Sequence, residues 1–477
     1  MTSPESSGSQ PGSIDVLRWT AKDLNHALEA GHYTSVDIVQ AYLSQIEKHN
    51  REGAKLNTVI VTTPLDVLLA KARDLDEERK NGLRRSPLHG IPILVKDNMV
   101  TGPELGMDTT CGSTALRGVK TLKNADVVDI LEKAGLLIVG KANLSTSAGS
   151  SSGSAVGVAA GFVPIAIGSE TDGSITQPAG RQGLYGLKLT IGSVSIDGVL
   201  GMSPFSDTVG PIGKTAEDVA VLAGIMQARD FSKDLVKSWE GFKVAFVKQT
   251  EWVSGSCFYV EKLAEKQERE RLAAMDHIQF LGGKVVRDVH LAPYSSFTRD
   301  GKDGLEAIWQ RDYAPSLEGF LRYFVEPPIK CMKDLVQFNI DHKDVELPSD
   351  QPSQHLLEEA LHTPISPEEY AETSDFVRAT AKGAFESIFK EHDVDLVISM
   401  LQCRVGTMSA ASGYPHGTVP LGYADNYNGR GYGLSIIARD GEEGKIIRFM
   451  SAWDASHPDL RHVPAQLVEA EEISSSI

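Results

Sequence analysis

A chain of 477 residues that is 41% apolar and 23% charged has an ordinary globular composition, neither disordered nor fibrous. Its 47 basic and 64 acidic residues leave a formal net charge of −17. A field of that sign repels phosphate backbones and anionic lipid, which argues against nucleic acid and membrane surfaces as partners.

Residues 1–13 are a Ser/Pro/Gly tail, predicted to be disordered and lacking the apolar run of a secretory signal. No stretch reaches the ~20 apolar residues that a membrane span needs. Four scattered cysteines, Cys111, Cys257, Cys331 and Cys403, show no CxxC spacing. They read as reduced thiols in a cytoplasmic protein, not as a disulfide framework.

Two amphipathic helices are predicted next. Thr20 caps the first, which ends near Gly31, and Ser35 caps the second, where Val36, Val39, Leu43 and Ile46 keep helical spacing. Strand and helix then alternate: strand 58–61, helix 65–80, buried strand 91–95, helix 125–134, strand 136–139, small-residue helix 153–160 and a short strand from 165 to 167. This alternation predicts an α/β fold, a sheet covered on both faces by helices. Beyond residue 230 the texture changes. Strands at 243–247 and 284–289 flank a charged helix at 260–281, residues 302–390 are mostly helical, and 395–400 returns to strand. Ser366–Glu369 spells SPEE, a capping box with proline at the first helical position. No linker divides the chain, so one domain is expected over 14–465. It would have a core at about 55–225 and 395–455, a helical insertion at about 230–395, and an acidic tail at 466–477.

Three stretches carry chemistry. The first is HGIPILVKDN, in which Lys96 closes an apolar strand. Desolvation there disfavours the charged amine, and a neutral lysine can act as a base. A lysine at a strand end can also simply snorkel to solvent. The second is GSSSGSAVGVAAG, residues 149–161, whose small residues permit close backbone approach and whose serines precede a helix. The third is GSETDGSITQPAG, residues 168–180, a glycine-rich turn at Ser174 able to present consecutive backbone N–H groups to an oxyanion. A helix of about ten residues advances ~15 Å, and a strand of about five can run back roughly 16 Å. The serines before the helix and Ser174 after the strand therefore finish at one end. Lys96 joins them if its strand runs parallel to 165–167.

Together these stretches resemble the amidase-signature family, closest to its fungal branch. VKDN, GSSSGS and ETDGSITQPA stand in the family's order, followed by GLYGLKLT, SDTVGPIGKT, ASGYPHGTVPLGY and YGLSIIAR. The resemblance covers roughly residues 20–225 and 395–455. It implies an α/β fold built on a large mixed β-sheet covered on both faces by helices, and hydrolysis of a carboxylic amide through an acyl-enzyme on Ser174, with Lys96 as base. Ser150, 24 positions before Ser174, would be a bridging serine on a cis peptide bond. The backbone N–H groups of Thr171, Asp172, Gly173 and Ser174 would form the oxyanion hole. No cofactor is implied, and the 13 histidines show no HExxH or other zinc spacing. The implied partner is a small-molecule amide, and a homodimer stays open.

Departures from the family pattern keep other readings in view. Only Thr146, Ser147 and Ala148 separate Ser145 from Gly149, where the family carries a longer loop, so a weakly active or inactive amidase-like protein is one alternative. Asp172 and Ser152 replace glycines, Thr176 an arginine, Leu189 a proline, and Glu170 an aspartate. A glutaminase-like amidotransferase subunit is another alternative. GSSSG also fits the nucleophile elbow of α/β-hydrolases, with Ser151 as nucleophile, although the preceding NLSTSA is not the apolar strand such an elbow follows.

Overall fold

The computed structural model describes residues 13–145, 149–252, 261–299, 301–362, 365–425 and 428–468. The predicted tails lie almost wholly outside these residues, as do Thr146, Ser147, Ala148, Cys257 and Val260.

Helix Ala21–Glu29 begins at a capping box in which Thr20 and Asp23 bond reciprocally. The second helix, Ser35–His49, is capped by Thr34 rather than Ser35. Thr34 Oγ1 accepts from Asp37 N at 3.1 Å, whereas Ser35 N donates to Asp76 Oδ1 at 2.7 Å. The sequence permits either cap, and the neighbouring helix Leu65–Lys80 supplies the carboxylate that decides between them.

The first six strands are β1 (Val59–Thr62), β2 (Pro92–Lys96), β3 (Leu137–Ala142), β4 (Ile165–Glu170), β5 (Tyr185–Lys188) and β6 (Thr208–Gly213). They are followed by β7 (Lys243–Val247), β8 (Lys284–Val289), the short pair β9 (Thr298–Arg299) and β10 (Lys302–Asp303), then β11 (Leu396–Met400), β12 (His416–Tyr423) and β13 (Gly431–Ile437). Apart from the β9–β10 ribbon they form one sheet, ordered β1-β3-β2-β4-β6-β5-β12-β13-β11-β7-β8. The sheet is mixed: β2 runs parallel to both β3 and β4, and β11 parallel to β7, while β4 pairs antiparallel with β6. Side-chain alternation feeds two cores. Val244 and Phe246 of β7 enter the larger one, and Ala245 and Val247 the other, beneath helix Pro367–Glu391. That helix opens on the predicted capping box, Ser366 with Glu369.

The β3–helix–β4 crossover positions the site. Because β3 and β4 are both parallel to β2, helix Ser152–Ala159 must run back between them. The segment before that helix and the segment after β4 therefore share the edge at which β2 ends in Lys96. Gly153 lets the helix seat against the chain leaving β3, since a Cβ there would stand 2.5 Å from both the N and the O of Asn143. Gly153→Ala is expected to cost about 1–3 kcal/mol through overpacking. Thermal unfolding would read this as a lower Tm, and an unchanged Tm would show that this packing can yield.

Candidate active site

Lys96 ends a strand whose five residues are all buried, and its own relative exposure is 1%. Burial pulls its pKa down to about 7, against the opposing pull of the Asp207 and Glu170 carboxylates. Its Nζ lies 2.6 Å from Ser150 Oγ, 2.9 Å from Ser169 Oγ and 3.1 Å from the Ser169 carbonyl oxygen. A neutral amine has two N–H donors and one lone pair. The two donors suit the Ser169 oxygens, which leaves the lone pair for the hydroxyl of Ser150. Asn98 Nδ2 also donates to Ser169 Oγ, at 2.8 Å, and fixes that side of the amine.

Ser150 reaches Ser174 through its backbone, the Ser150 N–H donating to Ser174 Oγ at 3.2 Å. Ser151 N donates to the Ser174 carbonyl at 3.1 Å and holds the two segments together. The structure thus brings Lys96, Ser150 and Ser174 to one place. Every peptide bond among the described residues is trans, so the cis bond expected at Ser150 is absent. The juxtaposition comes instead from the crossover and from the Ser151–Ser174 backbone bond. Ser151, the elbow candidate, is fully buried, with its hydroxyl donating to the Ser169 carbonyl at 3.1 Å. It is a packing residue.

Between β4 and Ser174 the chain turns sharply, with Gly173 at φ +77°, where a side chain is strained. The N–H groups of Thr171, Asp172, Gly173 and Ser174 bond to no other described residue. The turn is held from outside. Glu170 Oε2 accepts from Ile175 N at 2.6 Å and from Thr176 N at 2.9 Å. Burial alone would raise Glu170, but His416 and Lys188 beside it outweigh this and hold it at about 2. On the other flank Thr171 donates to Asp207, whose Oδ2 accepts from Ser203 N at 2.6 Å. Burial lifts Asp207 to about 7.

Asp172 opens onto the cavity while protein encloses it on the remaining sides, and this partial burial raises it to about 6. Its Oδ2 accepts from Thr407 Oγ1 at 2.9 Å, which draws the carboxylate toward helix Val405–Ser412. Ser169, Asn98, Asp207 and Glu170 were not assigned roles from the sequence. All four nevertheless sit inside or beside motifs visible there, in GSETDGS, VKDN and SDTVGP.

A cavity of about 820 Å³ opens over these groups, and Lys96, Ser150 and Ser174 all line it. Leu144, Ser145 and Gly149, which flank the shortened loop, form part of its rim, so the short connection coexists with a substantial pocket. Among the described residues no group of three His, Cys, Asp or Glu side chains could hold a metal ion, and no helix is long and apolar enough to cross a membrane.

The chain is similar in sequence and fold to known proteins. The family model described as Amidase matches residues 37–148 and 145–267. A protein of Arabidopsis thaliana named "Probable amidase" is 27% identical over 93% of this chain and 90% of its own length. The solved structure of the native peptide amidase from Stenotrophomonas maltophilia superposes with a TM-score of 0.84 at 27% identity, covering 94% of this chain and 99% of the other. A glutamyl-tRNA(Gln) amidotransferase subunit of Symbiobacterium thermophilum is 39% identical, but over only 44% of this chain and 47% of its own length.

Proposed function

From the premise that this chain is an amide-hydrolysing member of the amidase family, we propose that Ser174 is its nucleophile, Ser150 its proton relay and Lys96 its base. The observation that carries this reading is a fully buried amine 2.6 Å from Ser150 Oγ, while the backbone N–H of Ser150 donates to Ser174 Oγ and keeps the two serines side by side.

The Ser174 hydroxyl passes its proton to Ser150 Oγ, which releases its own proton to the Lys96 amine. Ser174 Oγ then bonds to the amide carbon, and the carbonyl electron pair moves onto oxygen. The N–H groups of residues 171–174 receive that oxyanion in a turn already built for it. Collapse of the tetrahedral species breaks the C–N bond, and the leaving nitrogen takes a proton back through Ser150 from Lys96. Water then attacks the acyl-enzyme along the same proton path in reverse, freeing the carboxylic acid. Asp207, through Thr171, and Glu170, through the two N–H groups after Ser174, position the oxyanion turn without touching the substrate. A reducing, cytoplasmic setting is supported by the scattered spacing of the four cysteines, none of which forms a CxxC pair.

A fluorophosphonate probe followed by peptide mapping tests the assignment. The probe should label Ser174 in the wild type and lose that label in Lys96→Ala. Labelling at Ser151, or an undiminished label in Lys96→Ala, would overturn the triad.

A further inference from the structure

A second cavity, of about 550 Å³, adjoins the one over Ser174, and Asp172, Gly173, Gln177, Arg181 and Arg404 line both. At this seam stands a cation that the proposed chemistry does not use. Arg404 lies just beyond β11, on a segment that Gln177 ties to the oxyanion turn through the Leu401 carbonyl. Its guanidinium sits over the Tyr294 ring, 4.9 Å from the centroid. That ring is fixed in turn. The Tyr294 hydroxyl donates to Asp303 Oδ2 at 2.6 Å, and Asp303 Oδ1 caps helix Gly304–Leu321 by accepting from Leu305 N and Glu306 N.

Among the described residues, Arg404 has no carboxylate within ion-pair distance and its side chain makes no hydrogen bond. Asp172 feels its charge, but is drawn away by Thr407. A guanidinium stacked on a ring keeps its N–H donors around the rim, where their spacing matches the two oxygens of a carboxylate. The acidic groups nearby do not cancel it. Both Asp303 oxygens are engaged, Glu268 of the second cavity is bound to Arg271, Glu265 lines only the second cavity and Glu306 only the catalytic one, and none of them lies within ion-pair distance of Arg404 among the described residues.

We propose that Arg404 is a specificity-determining residue that binds a carboxylate of the substrate, so that the preferred amides are anionic and carry the carboxylate a short chain away from the scissile bond. The inference rests on the amide-hydrolase reading of this cavity and refines it. Asp172, on the same seam, then faces the substrate between the oxyanion turn and the anchored carboxylate.

Matched anilides test this. The monoanilides of succinic, glutaric and adipic acid are compared with the uncharged anilides of equal chain length. N-acetylglycine, N-acetyl-β-alanine and N-acetyl-4-aminobutyrate are compared with the corresponding N-acetylalkylamines. At one chain length the anionic member should have the higher kcat/KM, by at least about tenfold, the size of one charge-assisted hydrogen bond. Arg404→Ala should abolish that preference and Arg404→Lys should restore part of it, while the uncharged member changes by less than about threefold. Calorimetric binding of the same pairs to Ser174→Ala should reproduce the preference without turnover. No anionic preference in either series, or one that survives Arg404→Ala, would overturn the proposal. Hydrolysis by Ser174→Ala within about tenfold of the wild-type rate would strike the triad instead, and leave Arg404 to be judged by the binding ratio.

Discussion

Ser174→Ala should lower kcat for a chromogenic anilide by at least about a thousandfold, while the protein stays folded. Removing a nucleophile deletes bond formation itself and leaves only binding and oxyanion stabilisation, which is why comparable deletions in other hydrolases cost on the order of 10³–10⁶. The fold should tolerate the change. Ser174 Oγ accepts from Ser150 N, while the bonds that anchor the turn run through the Ser174 carbonyl, Ile175 N and Thr176 N, none of which alanine alters. Ser150→Ala should fall short of that loss, since a relay contributes roughly 10²–10⁴ and water can partly replace a hydroxyl. The check is steady-state kinetics paired with a melting curve. A fall of less than about tenfold in Ser174→Ala, at unchanged Tm, would remove Ser174 from the nucleophile's role.

The acid limb of kcat/KM should lie near pH 7, far below the range of an ordinary lysine. Burial lowers Lys96 to about 7 and the Asp207 and Glu170 carboxylates oppose that fall, so the reactive neutral amine accumulates as the pH rises through 7. The rate should climb about tenfold per pH unit below the limb and level off above it. Burial also brings Asp207 to about 7, so the limb belongs to the coupled pair rather than to either residue. Asp207→Asn removes a negative charge that favours the ammonium and should move the limb toward lower pH. A limb that stays in place, or moves up, would show that Lys96 does not feel Asp207.

The same shift has a consequence for stability. Between about pH 7 and 10.5 the unfolded chain binds a proton at Lys96 that the folded chain does not, so this residue's contribution improves as pH rises across that window and is worst below it. Lys96→Met, which keeps the volume and removes the buried amine, should be inactive yet melt at or above the wild-type temperature at neutral pH. A large fall in its Tm would mean that the bonds of Nζ to Ser150 and Ser169 outweigh the cost of burying the amine.

Much of this architecture was legible in the chain. Strands β7 and β8 and the helix Leu65–Lys80 fall on their predicted residues and β2 within one, while β3 starts one residue later and runs three further, because apolar runs bounded by glycine and capping residues are local signals. Ser366 and Glu369 announce their helix for the same reason. The second helix shows the limit of such signals. Thr34 and Ser35 are both good caps, and Asp76, distant in sequence, claims the N–H of Ser35.

The candidate site divides in the same way. The residue types of Lys96, Ser150 and Ser174, and the glycine that turns the chain before Ser174, are properties of short motifs and can be read from the sequence. Their meeting cannot, because it requires β2, β3 and β4 to run parallel, a choice made by long-range pairing. The trans geometry at Ser150 was likewise invisible to motif matching.

The sequence by itself determined which groups could react: one lysine closing an apolar strand, two serines set around a small-residue helix, and a turn rich in free N–H groups. Tertiary structure alone decided the states and neighbours of those groups. Complete burial of the amine, the Asp207 carboxylate reaching Thr171 across 36 residues of chain, and an arginine from beyond β11 lining the same cavity all depend on segments that are distant in the sequence. The physical reason is range. Propensity and capping act over a few residues, whereas desolvation and charge placement are properties of whatever the folded chain brings alongside.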